Sequence, residues 1–188
     1  MANVSVSPET FELVNFDAAE ITGIAESVAG AVGLGADVAV TIAVDETAMQ
    51  GKSSSRVEDG GVVIEASGGA FESLRKARDF DEERCRSVLG HALLRARDRL
   101  DATFGTPPAD GDLGVREEVA WAAYIEGRLQ RLGIVQGRPQ RRIYHFRVRH
   151  GFSDTVDRVF QELWDAEGLT WADIEAQSAE AAGSAVPA

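Results

Sequence analysis

The first group of side chains that could do chemistry lies on a segment where apolar residues recur at helical spacing. In this segment His91, Arg95 and Asp98 follow one another at intervals of four and three residues. With 3.6 residues per turn, these three side chains share one side of a helix, opposite Cys85. Two interpretations stay open for them. One is a solvated polar face held by i,i+4 and i,i+3 contacts; the other is an exposed functional patch.

The second group is a run of basic residues with no acidic residue between positions 138 and 150. Tyr144, Phe146 and Phe152 are interleaved with it, and arginines mixed with aromatic side chains are typical of surfaces that hold phosphates and stack bases. His150 also falls in this run. The run therefore predicts an anion-binding site, whose candidate residues are Arg138, Arg141, Arg142, His145, Arg147 and Arg149.

A structural role is the alternative for the same arginines. A third long helix is predicted from about Leu113 to Leu132, and Glu118 and Glu126 fall within its apolar arc. Burying an unpaired carboxylate is costly, so each would need a positive partner. The arginines some twenty residues downstream are the natural partners, which would make them internal counter-ions.

No catalytic residue set, metal site or cofactor is predicted. His145 and His150 are five residues apart, which suits neither one face of a helix nor one face of a strand. Cys85 is expected in the core as an unreactive apolar residue. The pairs Gly60-Gly61 and Gly68-Gly69 are interpreted as turns, and no phosphate-binding loop pattern accompanies them.

The elements that must position these residues predict an α+β fold. A short strand or extended segment is expected at 10–14, followed by a helix capped by Asp17. Residues 37–45 predict a strand whose small face could lie under a helix, and 53–57 pairs with 61–67 as a hairpin. Asp81 is expected to cap the long helix that carries His91.

The C-terminal half is predicted to be mostly helical. Residues 141–149 alternate in the manner of a strand, Ser153 caps the next helix, and a last short helix begins near Thr170. We expect an α+β region at 1–104 and a helical extension of the same domain at 113–177. A flexible tail is expected at 178–188.

The order helix, strand, hairpin and long helix, over roughly residues 11–101, resembles the minimal zincin-like metallopeptidases. Their last helix carries His-Glu-x-x-His, where this chain reads His91-Ala92-Leu93-Leu94-Arg95. Ala92 stands where the catalytic glutamate belongs, and Arg95 where the second histidine belongs. Zinc hydrolysis needs about three protein ligands and a general base. The resemblance therefore implies a zincin-like αββα fold that has lost both metal and activity.

The C-terminal half, with WAAYIEGRLQRLG and RRIYHFRVRHGFSD, looks like the tail of proteins from high-GC Gram-positive bacteria. This second resemblance implies no activity. The composition agrees with such an origin, because 17 of the 19 basic residues are arginine.

The charge of the chain limits which classes of partner are expected. The formal net charge of −12 opposes general binding to nucleic acid or to an anionic membrane. Without a signal peptide or a long apolar stretch, the expected location is the cytoplasm. Trp121 lies on a wide apolar helix edge that predicts contact with the core, a protein partner or a second copy.

The leading hypothesis is a non-catalytic binding or scaffolding domain with a degenerate zincin-like fold. One alternative is a degenerate metallohydrolase or a phosphate-ester enzyme that uses His91 and Arg95 together with the arginine/histidine segment. Another is an RNA- or ribosome-associated module that binds through Arg138 to Arg149.

Overall fold

Residues 3–183 of the chain are described by the computed structural model, and the chain forms two compact units. Unit 1 comprises Met1–Leu100 and contains a mixed sheet with helices. Unit 2 comprises Asp101–Ala188, and its described part is helical. The predicted α+β class is therefore confirmed, whereas the expectation that the two parts form one domain stays a prediction.

The sheet of unit 1 has four strands in the order β1-β2-β4-β3. β1, β2 and β4 run parallel, and β3 is antiparallel to β4. Asp59 and Gly60 join β3 to β4 with φ values of 51° and 76°, as the two central residues of a primed hairpin turn require. The predicted hairpin is confirmed. The strands are β1 (Asn3–Ser7), β2 (Ala39–Asp45), β3 (Ser53–Glu58) and β4 (Gly61–Ser67).

The described residues of unit 1 also form three helices, namely α1 (Ala18–Ala31), α2 (Gly68–Phe71) and α3 (Glu82–Leu100). The side chain of Asp17 accepts a hydrogen bond from the Ala19 amide at 2.8 Å, and that of Asp81 accepts one from the Arg84 amide at 3.0 Å. Both carboxylates satisfy amides that have no partner within the helix. Both predicted caps are confirmed.

Only one face of the sheet is covered. Val40, Ile42 and Val44 of β2 are buried, whereas Ala39 and Ala43 are exposed. The expectation that the small face lies under a helix is therefore wrong. α1 and α3 each carry an apolar stripe, which gains most by packing on the larger β-branched side chains and leaves the small face in water.

Two further expectations for unit 1 are corrected. Residues 10–14 form no strand; the strand beside β2 is Asn3–Ser7, in parallel register with it. Gly68 and Gly69 are not a turn pair but begin the short helix α2. A methyl group on Gly69 would overlap the carbonyl oxygen of Met49, so the close approach of these two backbones requires glycine.

Unit 2 contains four helices within the described residues, which are α4 (Val115–Arg131), α5 (Pro139–His150), α6 (Asp154–Asp165) and α7 (Trp171–Gly183). A short 3₁₀ turn, Asp110–Asp112, precedes them. Ser153 caps α6 as predicted, because its hydroxyl accepts the Val156 amide at 3.3 Å. The predicted flexible tail is wrong for 178–183, where α7 continues and Ser178 is buried. Residues 184–188 lie outside the described part.

The core of unit 2 depends on a close approach between α4 and the end of α6. A methyl group on Gly127 would overlap the carbonyl oxygen of Trp164. Arg131 donates hydrogen bonds to the carbonyl oxygens of Trp164 at 2.5 Å and Ala166 at 2.6 Å. The last carbonyl groups of a helix have no amide donor within that helix, so Arg131 acts as the C-terminal cap of α6.

Candidate functional site

The arginine-rich segment is a helix, not the predicted strand. α5 begins with Pro139 in its first turn, where a missing amide hydrogen costs nothing. It ends at Gly151, whose φ of 105° is accessible to glycine at no steric cost. The alternation of apolar and charged residues at 144–149 suggested a strand, but Phe146 and His150, four apart, are the residues that face the core. Tyr144 and Val148 point outward instead.

His150 is a core residue. Only 1% of its surface is exposed, and its ring stacks on that of Phe146 with centroids 4.0 Å apart. Nδ1 lies 3.1 Å from the Phe146 carbonyl oxygen, and Nε2 lies 2.9 Å from Oγ of Ser178. A carbonyl oxygen can only accept, so Nδ1 carries the hydrogen and Nε2 accepts from the serine hydroxyl. His150 therefore joins α5 to α7 as a neutral imidazole.

The surroundings of His150 disfavour its charged form. Burial lowers its pKa below the usual 6.5, and the positive charge of Arg116 acts in the same direction. The Phe146 carbonyl and the carboxylate of Glu117 oppose this shift. Sequence reasoning placed His150 in the basic surface and missed its structural role. The helical spacing of Ile143, Phe146 and His150 was the available signal.

Two of the five arginines have internal partners. Arg142 Nη2 lies 2.6 Å from Oε2 of Glu126, whose side chain is only 12% exposed. Arg147 donates hydrogen bonds to both carboxylate oxygens of Asp157, from Nε at 2.7 Å and from Nη2 at 2.5 Å. This two-point contact lowers the pKa of Asp157. The predicted counter-ion role is confirmed for Arg142, and Arg147 forms an ion pair with a more exposed acidic residue of α6.

Glu118 does not take part in this pairing. Its side chain is exposed, so the expectation that it faces the core is wrong. Val115, at the start of the same predicted arc, is 50% exposed as well. The buried side of α4 begins one turn later, at Ala120 and Trp121.

The remaining basic residues of α5 lie on its solvent side. Arg138, Arg141, His145 and Arg149 are exposed. Among the described residues, no carboxylate lies within ion-pair distance of the three arginines. Beside them, Tyr144 is 59% exposed, Val148 50% and Phe152, just beyond the helix end, 71%. We call these seven residues the outer face of α5.

The other predicted patch is on α3 in unit 1, and it is less accessible than expected. Asp98 is buried at 4% exposure, and His91 and Arg95 are partly buried. Each of the three has interactions within the protein. A solvated polar face is therefore wrong for Asp98. α3 contacts α1, α2, β3 and β4, and a helix with so many neighbours keeps little of its surface in water.

The remaining candidates lie in the core or are divided between the two units. Among residues 3–183, no three His, Cys, Asp or Glu side chains group in a way that could hold a metal ion. Cys85 is buried as predicted, and burial raises the pKa of its thiol to about 12, so it stays protonated and unreactive at neutral pH. His91 and Arg95 belong to unit 1, whereas His145 and Arg147 belong to unit 2.

The aromatic side chain expected to contact a partner is internal. Trp121 has no exposed surface, stacks on Phe104 with ring centroids 5.7 Å apart and meets Trp171 edge-on at 5.4 Å. Trp164 is buried at 6% exposure. Of the contacts expected for Trp121, the contact with the core is therefore confirmed.

Unit 1 has an open depression of about 870 Å³ at the carboxyl ends of its parallel strands. Asp45, Lys52 and Glu65 contribute charged groups of both signs, and Ser54 and Ser67 line it as well. Asp45 is already used within its own turn, where its carboxylate accepts the amide and hydroxyl of Thr47. Glu65 also has a partner within the sheet, because it forms an ion pair with Arg56 at 2.6 Å.

Among the described residues, no helix is both long and apolar enough to cross a membrane. No protein-family model matches the chain, and no curated protein or solved structure matches it either.

Proposed function

We propose that this protein is a non-catalytic binding domain whose unit 2 binds an acidic protein partner through the outer face of α5. The observation that carries this proposal is the coexistence, on one helix face, of arginines without carboxylate partners and exposed apolar side chains. The chain has a net charge of −12, so arginines without a nearby carboxylate are unexpected in it.

The division among the arginines supports a binding role for this face. Arg142 and Arg147 each hold a carboxylate of their own unit, at 2.6 and 2.5 Å. Arg138, Arg141 and Arg149 have no such partner within the described residues, although they belong to the same short segment. Folding therefore does not account for these three guanidinium groups, and an acidic partner would.

The apolar part of the face supports a protein rather than a small ion as the partner. Tyr144, Val148 and Phe152 are each at least half exposed. Exposed apolar side chains grouped together and bordered by charge are typical of protein contact surfaces. Arginine and tyrosine are also the residue types that contribute most to binding at such surfaces.

For unit 1 we propose the role of a scaffold. The order α1, β2, hairpin, α3 supports descent from a zincin-like fold, and the residues His91-Ala92-Leu93-Leu94-Arg95 support the loss of its activity. We propose the cytoplasm as the location and a high-GC Gram-positive bacterium as the source, on features of the sequence alone.

The proposal is tested by site-specific photo-crosslinking in cells that express the protein. A benzophenone side chain replaces Tyr144 or Val148, and a control chain carries it at Leu74 of unit 1, which is 85% exposed. We expect one protein adduct at both α5 positions and not at Leu74, with the crosslink mapped to an acidic segment. The adduct should disappear when Arg141 and Arg149 are replaced by glutamate.

Two results would overturn the proposal. The same adducts at Leu74 as at Tyr144 would show that the α5 face has no specific partner. Crosslinking to RNA in place of protein would support the RNA-associated alternative, for which Tyr144 and the arginines are also suitable groups.

A further inference from the structure

We propose that the partner segment is an acidic amphipathic α-helix that lies along α5 and covers Tyr144, Val148 and Phe152. This inference rests on the proposed function and specifies the form of the bound segment. It follows from three properties of unit 2: the arrangement of the outer face, the lack of a strand edge among its described residues, and the sign of the uncovered charges.

The outer face has an apolar side and a basic side. At 100° per residue, Tyr144 and Val148 lie together along one side of α5, and Arg141 and His145 lie next to them. Arg138 and Arg149 continue the basic side beyond them. Side chains at i and i+4 form the ridges that a second helix accommodates in its grooves. A partner helix with apolar residues at the same spacing would cover the apolar side and direct its flank toward the arginines.

An extended partner is less favourable at this location. Within the described residues of unit 2 there is no β-strand, so an extended peptide finds no strand edge for its amide and carbonyl groups. Covering these groups without hydrogen-bond partners is costly. A helix satisfies its own backbone and leaves only side chains to match.

The charges specify an acidic flank. Three guanidinium groups without carboxylate partners favour glutamate or aspartate on the partner. A single-stranded nucleic acid is the less favoured occupant. Val148 offers nothing to a base or a phosphate, and the chain as a whole repels a polyanion. With about three phosphate contacts, the affinity for a single strand would also fall about 20-fold between 50 and 200 mM salt.

The size of the face sets the expected affinity. α5 has 12 residues and is therefore about 18 Å long. A contact of this length buries less than about 1,200 Å², which is typical of transient complexes. We expect dissociation constants in the micromolar range.

The test is a selection on the intact protein. A display library presents 14-residue peptides with random residues, both on a helical scaffold and as unconstrained peptides. We expect enrichment in the helical library of sequences with apolar residues at i, i+3 or i+4 and i+7 and with glutamate or aspartate beside them. The selected peptides, measured by fluorescence anisotropy in 150 mM salt, provide the affinities.

Matched variants separate the two sides of the face. Replacing Arg141 and Arg149 by glutamate should weaken binding at least tenfold. The control replaces Lys52 and Arg75, two exposed basic residues of unit 1, by glutamate, and it should change binding less than twofold. Replacing Tyr144 and Val148 by serine should also weaken binding tenfold, and the control pair is Met49 and Leu74.

Enrichment of extended or proline-rich sequences, or affinities that the α5 substitutions do not change, would overturn the helical inference. So would an oligonucleotide that binds more tightly than every selected peptide in 150 mM salt, or self-association through α5 in sedimentation. A specific, acidic crosslinked partner that binds in an extended form would refute this inference alone. Absence of a specific adduct would refute the proposed function.

Discussion

Neighbouring arginines of α5 have different roles because a helix turns each of them toward different surroundings. Arg142 lies against α4, where the Glu126 side chain is 12% exposed and needs a counter-ion. Arg141, one position earlier, is rotated by 100° and lies in water. A segment that is uniformly basic in sequence therefore contains both an internal ion pair and an uncovered charge. Composition shows the run of positive charge but not this division.

Removing the partner of a largely buried carboxylate should destabilise unit 2. Replacing Arg142 by alanine removes this ion pair from Glu126, and we expect the free energy of unfolding to fall by about 1–2 kcal/mol, discounted because Arg142 itself is 29% exposed. Arg141→Ala should change the free energy of unfolding by less than about 0.5 kcal/mol. Urea unfolding measures both. Replacing Glu126 by glutamine in the Arg142→Ala chain should restore part of the loss, and equal losses for Arg141 and Arg142 would contradict the assignment.

His150 should make unit 2 less stable in mild acid. Its folded pKa lies below the usual 6.5, so as pH falls the unfolded chain takes up the proton first. The contribution of His150 to the free energy of unfolding is complete above pH 6.5 and falls as the pH decreases toward the folded pKa. The total fall is about 1.4 kcal/mol for each pH unit between 6.5 and the folded pKa. Denaturant unfolding at pH 7.5 and 5.5 measures this. His150→Gln should be less stable at pH 7.5 and lose this pH dependence, whereas the exposed control His145→Gln should keep it.

Among the elements, those specified by local signals could be predicted from the sequence. Asp17 and Asp81 start helices by satisfying amides within their own first turns, and Asp59-Gly60 sets a hairpin by its own backbone angles. β1 could not be predicted in this way, because the stability of Asn3–Ser7 as a strand comes from pairing with β2, more than thirty residues away. The buried face of β2 could not be predicted from local sequence either, because it depends on where α1 and α3 pack.

The candidate site shows the same division. The sequence identified Arg138, Arg141 and Arg149 as a basic surface, and the structure leaves them exposed. The alternation of Tyr144, Phe146 and Val148 with charged residues predicts a strand over 141–149, where the structure has α5. Pro139 and Gly151 both favour a helix bounded at those positions. The choice between the helical and the strand periodicity depends on tertiary packing, because Phe146 and His150 are buried together only in a helix.

The contact between α4 and α6 should be intolerant of a single methyl group. Gly127→Ala would place that group against the Trp164 carbonyl, and separating the two helices should cost about 3 kcal/mol. Gly23→Ala in the middle of α1 is the matched control, because nothing lies within 4 Å of its added methyl group. It should stabilise the protein by about 0.5–1 kcal/mol. Thermal unfolding followed by circular dichroism distinguishes the two signs; a stabilising Gly127→Ala would show that the helices are not in close contact.

At the scale of the whole molecule, the division at Leu100 and Asp101 assigns a separate core to each unit. Unit 2 buries Trp121, Phe146, Phe160 and Ile174 among its own helices. A fragment comprising residues 101–188 should therefore keep its helical circular dichroism and unfold cooperatively with heat. A fragment that is unfolded in isolation would support the interpretation of residues 113–177 as an extension of one domain.

The burial of the tryptophans within unit 2 has an optical consequence. Trp121, Trp164 and Trp171 are the three tryptophans of the chain, and Tyr124 and Tyr144 are its two tyrosines; all five belong to unit 2. Unit 1 therefore contributes almost nothing to absorbance or emission when light of 295 nm is used. Intrinsic fluorescence follows the loss of the unit 2 core alone, whereas far-ultraviolet dichroism follows both units. A difference between the two signals during unfolding would show that the two units unfold at different points, and no label is needed to measure it.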